Sequence, residues 1–157
     1  MRKLMLALLF LSSAAQAKTV APKETKSLKI VNAKSESSQG PAEWFTGQVR
    51  ITTVLTPDDS SSMSCASVAF EPGARTAWHT HPKGQLLVVT EGSGLVQIEG
   101  QPVRRISVGD TVWTPAGAKH WHGATSTSRM VHTALQEIVN GTPVTWMKKV
   151  KDEEIIW

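Results

Sequence analysis

Cysteine is almost absent from this 157-residue chain. Cys65 stands alone, so no disulfide can form within the chain and stability has to come from a packed core. Cys65 leads into the alternating run Ala66-Ser67-Val68-Ala69-Phe70 with no cation close by in sequence to lower its pKa, which reads as a small buried apolar side chain. Helical periodicity is missing as well, which argues against a helix bundle. The apolar run from Leu4 to Leu11 is well short of the roughly 20 residues that cross a bilayer. Nor is there a block of like charge: Lys148, Lys149 and Lys151 are followed at once by Asp152, Glu153 and Glu154, a mixed solvated face and no footprint for nucleic acid.

The first seventeen residues read as a signal peptide. Arg2 and Lys3 precede the apolar run, which ends in the small-residue pattern Ala15-Gln16-Ala17. Cleavage there would leave a chain that starts at Lys18, secreted or periplasmic, with no further membrane attachment. Its formal charge would fall from +4 to +2 through loss of Arg2 and Lys3. Residues 18–40, rich in Lys, Ser, Ala and Glu, read as a linker or N-terminal arm, with an apolar patch at Leu28, Ile30 and Val31 that could pair as an edge strand. Residues 41–157 read as the folded domain.

Within that domain, short alternating runs are broken at close intervals by Gly, Pro and Asp. Strands are expected at Val49 to Leu55, Ser64 to Phe70, Ala77 to His81, Gln85 to Glu91, Leu95 to Glu99, Arg104 to Ile106, Thr111 to Thr114, His120 to Ala124 and Met130 to Glu137. The intervening EPGA, HPKG, EGSG, EGQP, VGD and PAGA supply turn residues. Many short strands with even turn spacing give an all-β barrel or sandwich, and the terminal KDEEIIW has room for one short helical turn.

Four of the five histidines fall into two pairs, His79 with His81 and His120 with His122. Side chains two apart on a strand share a face, so each pair can converge on one point. A lone histidine is more often a hydrogen-bonded core residue. Two His-x-His pairs in one short chain favour a metal site, because imidazole is the commonest metal ligand and needs neighbours to form one. Gln85 has the parity of His79 and His81, and a hairpin through Pro82-Lys83-Gly84 would return its amide oxygen to the same point. On the next strands, Ala66, Val68 and Phe70 share one face, and His132, Ala134 and Gln136 share another. Trp78 and Trp121 have the opposite parity to the paired histidines and should point into a second layer or a subunit contact, while Trp113 and Trp146 could equally belong to the core.

Gly73, His79, His81, Gln85 and Gly92 match G-x5-H-x-H-x3-Q-x6-G, and Gly109, Pro115, Gly117 and His120 match G-x5-P-x-G-x2-H. These spacings resemble the paired motifs of the cupin superfamily. The resemblance implies a single cupin barrel, a jelly-roll-like double-stranded β-helix with six to eight antiparallel strands. It also implies one divalent metal held by His79, His81, Gln85 and His120. Most cupins carry Glu where this chain has Gln85. A neutral amide leaves the ion its full charge, so it would be a stronger Lewis acid, bound less tightly. Three imidazoles and one oxygen leave two positions of an octahedral ion open, which suits Mn2+ or Fe2+ and also admits Zn2+, cobalt or nickel.

The stretches PAEWFTGQVR, FEPGARTAWHTHPKGQ, GDTVWTPAGAKHWHGA and VTWM further resemble the small bacterial cupin hydroxynitrile lyases, the manganese-dependent (R)-selective mandelonitrile lyase type, over residues 41 to 150. By that resemblance Thr76, His122, His132 and Gln136 line a substrate pocket shaped by Ala66 and Val68. A small-molecule cyanohydrin would be cleaved to aldehyde and HCN, with His122 as the base. A dioxygenase using iron or manganese, and a non-catalytic periplasmic binding cupin, are the competing readings. An apolar arm and open edges point to a homodimer or homotetramer.

Overall fold

The computed structural model describes residues 27–32, 36–58 and 60–155. The expected signal peptide lies outside them. The chain divides into two units, residues 1–30 and 31–157. Of the first, only residues 27–30 are described; they form no strand, and Leu28 and Ile30 are exposed. No strand forms over the apolar patch from Leu28 to Val31. No helix among the described residues is long and apolar enough to cross a membrane.

The described residues of the second unit form twelve strands: β1 Ser38–Gln39, β2 Phe45–Thr46, β3 Val49–Leu55, β4 Met63–Phe70, β5 Arg75–Thr76, β6 His79–Thr80, β7 Gln85–Ile98, β8 Arg104–Ser107, β9 Thr111–Thr114, β10 His120–Ala124, β11 Met130–Glu137 and β12 Thr145–Trp146. A 3-10 turn, Asp152–Glu154, follows. All pairings are antiparallel, and the main path runs β1-β3-β4-β11-β7-β10-β5-β2. The sheet curls on itself because β7 belongs to both of its halves. Residues 85–92 pair with β11 and residues 85–88 with β9; residues 93–96 pair with β8 and residues 94–98 with β10.

β7 bends where its partners change. The EGSG stretch, expected as a turn between two strands, is instead strand throughout. A register shift at Val131/His132 leaves Thr90 without an opposite residue in β11, and such a bulge bends a strand and increases its twist. Gly92 at this bend has φ 68°, and a Cβ there would overlap the carbonyl oxygen of Arg129. Only glycine fits both constraints.

Inward side chains of the two halves form the main core, centred on Phe45, Val49, Phe70, Val89, Val96 and Met130. Phe70, Leu87 and Met130 are fully buried, each contributing on the order of 1.5–3 kcal/mol by transfer from water. A second cluster covers the outside of the half containing β8 and β10, where Trp78, Trp121 and Val150 pack with Leu95, Val103 and Ile155. Trp78 and Trp121 therefore point away from the histidines, as their parity implies. The C-terminal segment is strapped over them: Arg75 pairs with Asp152 at 2.7 Å, and Gln97 Nε2 donates to the Glu154 carbonyl at 3.2 Å.

Candidate metal centre and pocket

Strands β6, β7, β10 and β11 aim their inward residues at one region of the interior. His120 lies opposite His79 in the β10–β6 pair, and Gln136 lies opposite Gln85 in the β11–β7 pair. The ring centroids of His79 and His120 are 4.2 Å apart; those of His79 and His81 are 5.1 Å apart, and those of His81 and His120 are 5.6 Å apart. All four expected ligands are buried, with His79 1%, His81 4%, Gln85 4% and His120 0% exposed.

Backbone carbonyls set the tautomer of three of these rings. His79 Nδ1 donates to the Ala77 carbonyl at 3.0 Å, His120 Nδ1 to that of Ala118 at 3.0 Å, and His81 Nδ1 to that of Pro143 at 2.7 Å. A carbonyl can only accept, so each Nδ1 carries the proton and each Nε2 keeps its lone pair. This outer support is the kind that orients metal-ligating imidazoles. Burial, the largest cause in each case, holds His79 well below the ordinary imidazole range, lowers His81 and pushes His120 down to about 4. The three rings are neutral at pH 7 and able to ligate.

The amide of Gln85 is set by a second chain of contacts. Gln85 Nε2 donates to Gln136 Oε1 at 3.3 Å and Gln136 Nε2 donates to Ser64 Oγ at 3.0 Å, while Ser64 Oγ donates to the Gln136 carbonyl at 2.9 Å. That leaves Gln85 Oε1 facing His120 Nε2 at 3.1 Å. Both atoms are acceptors. Acceptors this close need a shared positive charge, and protonation of His120 is opposed by its burial, so a metal cation fits the donor set. His81 Nε2 is buried with no hydrogen-bond partner, yet His81 is not among the three histidines whose ring nitrogens gather here, which are His79, His120 and His122.

His122 also reaches this centre. One ring nitrogen from each of His79, His120 and His122 falls within 4.8 Å of the others, so three buried histidines here could hold a metal ion. His122 is tied elsewhere as well. Its Nδ1 is 3.2 Å from His132 Nε2, its backbone N–H donates to Thr76 Oγ1 at 3.2 Å, and its Nε2 is buried without a partner. Phe70 packs against both His122 and His132. Burial pushes His132 down to about 4 and holds His122 well below the ordinary range, helped by the neighbouring imidazoles.

Beside these nitrogens lies a cavity of about 150 Å³. Thr76, His122, His132 and Gln136 all line it, as do Ala66 and Val68. His79, His81, Gln85 and Ala134 line it too, and the wall is completed by residues the sequence did not single out as pocket: Phe45, Ile51, Val144 and Trp146. Phe45 and Trp146 sit on the two-residue strands β2 and β12, too short to show an alternating pattern. Trp146 is stacked on Trp44, with centroids 5.3 Å apart. Ser64 was missed too, although its parity with Ala66 and Val68 places it on the inward face.

A family model described as cupin domain matches residues 66–135. The sequence is 54% identical over 118 residues to the (R)-mandelonitrile lyase of Granulicella tundricola, covering 75% of this chain and 90% of that one. A cupin-like protein from Thermotoga maritima superposes with a TM-score of 0.73 at 38% identity, over 79% of this chain and 94% of that one. The polyketide cyclase RemF from Streptomyces resistomycificus shares the fold at a TM-score of 0.65 and 14% identity, over 81% of this chain and 89% of that one.

Proposed function

This chain belongs to the cupin family, and from that premise we propose that it is a metal-dependent carbon–carbon lyase cleaving cyanohydrins, with mandelonitrile as the type substrate. The observation that carries this reading is the cluster of lone pairs: three imidazoles locked as neutral Nδ1–H tautomers, with the Gln85 oxygen held against one of them, beside a small and mainly apolar pocket. His79, His81, Gln85 and His120 would hold a divalent ion, manganese or iron by the donor set. When bound, it supplies Lewis acidity toward the substrate oxygen.

The remaining chemistry belongs to the side chains. With its Nδ1–H donating to His132 Nε2, His122 keeps the lone pair on its unpartnered Nε2 and is the base for the cyanohydrin hydroxyl. As the hydroxyl proton passes to His122 Nε2, the electron pair of that O–H bond forms the carbonyl. The pair of the C–C bond leaves with cyanide. Cyanide then takes the proton from His122 and departs as HCN, so the ring returns to its starting state. His132 positions the base, and Thr76 fixes the backbone of His122. Phe45, Val68, Ala134, Val144 and Trp146 give an apolar seat for an aryl group. The homologous lyase supports the reaction class.

The test is to assay the purified, metal-supplemented protein with mandelonitrile in aerobic and anaerobic buffer. Equal release of benzaldehyde and cyanide without oxygen uptake is expected. Oxygen-dependent turnover, or inactivity at full metal content, would overturn the lyase reading.

A further inference from the structure

Trp146 gives the pocket part of its wall from a strand of only two residues. Backbone pairing sets Trp146 opposite His79 of β6, and the N–H of Met147 donates to the Trp78 carbonyl at 2.9 Å. Those bonds fix the main chain and leave the side-chain torsions of the indole to be set by its neighbours. Three rings do this. Trp44 lies nearly parallel to Trp146, at 8° and 5.3 Å between centroids, which is an offset stack; Phe45 meets it at 63° and 5.6 Å, and His79 at 44° and 4.9 Å.

Phe45 and His79 line the cavity themselves, whereas Trp44 does not. Trp44 is half-buried just before β2 and packs against the main core. Its own position is fixed on both sides of the peptide chain, because its N–H donates to the Pro41 carbonyl at 3.0 Å and its carbonyl accepts the Ala77 N–H at 2.7 Å. The Ala77 carbonyl in turn accepts the Nδ1 proton of His79 at 3.0 Å. A closed circuit results. It runs from the Trp44 ring to the Trp146 ring and the His79 ring, then back through Ala77 to the Trp44 carbonyl. One residue outside the cavity thus braces its aromatic wall by a side chain and a candidate ligand ring by its main chain.

We propose that Trp44 is a positioning residue that makes the pocket selective for aryl cyanohydrins, by covering one face of Trp146 and holding that indole against the cavity. The inference rests on the lyase reading for its substrate and on the ring geometry for its residue. Without the stack the Trp146 ring gains rotamers, and a flat aryl group then has to order its own seat as it binds. A small aliphatic cyanohydrin touches less of that wall and loses less.

The test uses Trp44→Leu, which stays apolar but removes the ring, and Trp44→Phe, which restores one. Mandelonitrile and acetone cyanohydrin serve as the aryl and aliphatic substrates, and calorimetric binding of benzaldehyde reads the seat without turnover. In Trp44→Leu, KM for mandelonitrile and Kd for benzaldehyde should rise about 5- to 10-fold, the scale of one aromatic pair, against less than about 2-fold in KM for acetone cyanohydrin. Trp44→Phe should recover most of the loss. The exciton-coupled circular dichroism of the stacked indoles should vanish in both variants, and metal content should match the wild type, because the Trp44 carbonyl on Ala77 survives a side-chain change. Loss of the exciton signal with unchanged KM and Kd would overturn the proposal. So would loss of metal, or an equal loss on both substrates that Trp44→Phe does not recover, which are marks of a general packing defect. A wild type that binds benzaldehyde but cleaves no cyanohydrin would remove the lyase reading and leave the role of Trp44 to be decided by Kd; one that neither cleaves nor binds would remove both.

Discussion

His122 and His132 meet edge to face, their ring centroids 4.8 Å apart at 79°, with Nδ1 of the first 3.2 Å from Nε2 of the second. Each is almost wholly buried, and only one proton can occupy the contact. If it sits on His122, the outer nitrogen of that ring is a base facing the cavity and the outer nitrogen of His132 carries a hydrogen.

That pairing makes His122 the residue to remove first. His122→Ala should keep its metal and lower mandelonitrile cleavage by about 10²–10⁴-fold, the worth of a positioned general base. His132→Phe removes only the group that selects the tautomer and should cost less, with the pH profile broadened. Metal analysis beside steady-state rates separates the two effects. Metal loss in His122→Ala with retention in His81→Ala would instead assign the ligand set to His79, His120 and His122.

Ligand substitutions should act on metal before they act on fold. His79→Ala, His81→Ala and His120→Ala should each lose bound metal by elemental analysis while retaining the β-type circular dichroism of the barrel, because core packing already fixes their strands. Gln85→Glu should bind metal more tightly and turn over more slowly, since a carboxylate quenches the Lewis acidity that a neutral amide leaves intact.

Ser64 acts on the same centre through Gln136. In Ser64→Ala the Gln136 amide loses its anchor, and Gln85 can then turn its nitrogen toward His120. A fall in metal affinity of about 10-fold is expected, at the low end of what outer-shell partners contribute. Competition with a fluorescent chelator measures it. Ser64→Thr, which keeps the hydroxyl, should recover most of the loss, whereas a purely structural defect would not follow the hydroxyl.

Acid should destabilise the metal-free protein in a defined window. His120 and His132 are pushed to about 4 when folded, against an ordinary value of 6.5, so between those limits the unfolded chain binds more protons than the native one. Stability is therefore full above about pH 6.5 and falls as the pH drops toward 4. The slope per histidine is at most about 1.4 kcal/mol per pH unit. Urea denaturation of chelator-treated protein across this range measures it, and His132→Phe should flatten the curve. A stability independent of pH between 4 and 6.5 would contradict the neutral state assigned to these rings.

Local sequence determined the parts of this fold whose signals are local. Strands β3, β9, β10 and β11 begin and end where alternation and turn residues put them, because the side-chain period of two and the placement of Gly and Pro are written into adjacent residues. The histidine pairs, Gln85 and the shared face of His132 and Gln136 were legible for the same reason, since spacing along a strand decides which side chains share a face; Thr76, and the pocket as such, were expected only through the resemblance to the cupin hydroxynitrile lyases. Tertiary structure decided the rest. It carried β7 straight through EGSG, because the two halves of that strand find different partners and glycine tolerates the bend between them. Ala77 to His81 does not form one strand: pairing with β10, β2 and β12 leaves only β5 and β6, and Ala77 and Trp78 lie in neither. The Pro143 carbonyl on His81 and the walls supplied by Phe45 and Trp146 have no local signature at all. Each depends on segments distant in sequence meeting in space, and a pattern read along the chain holds no term for that meeting.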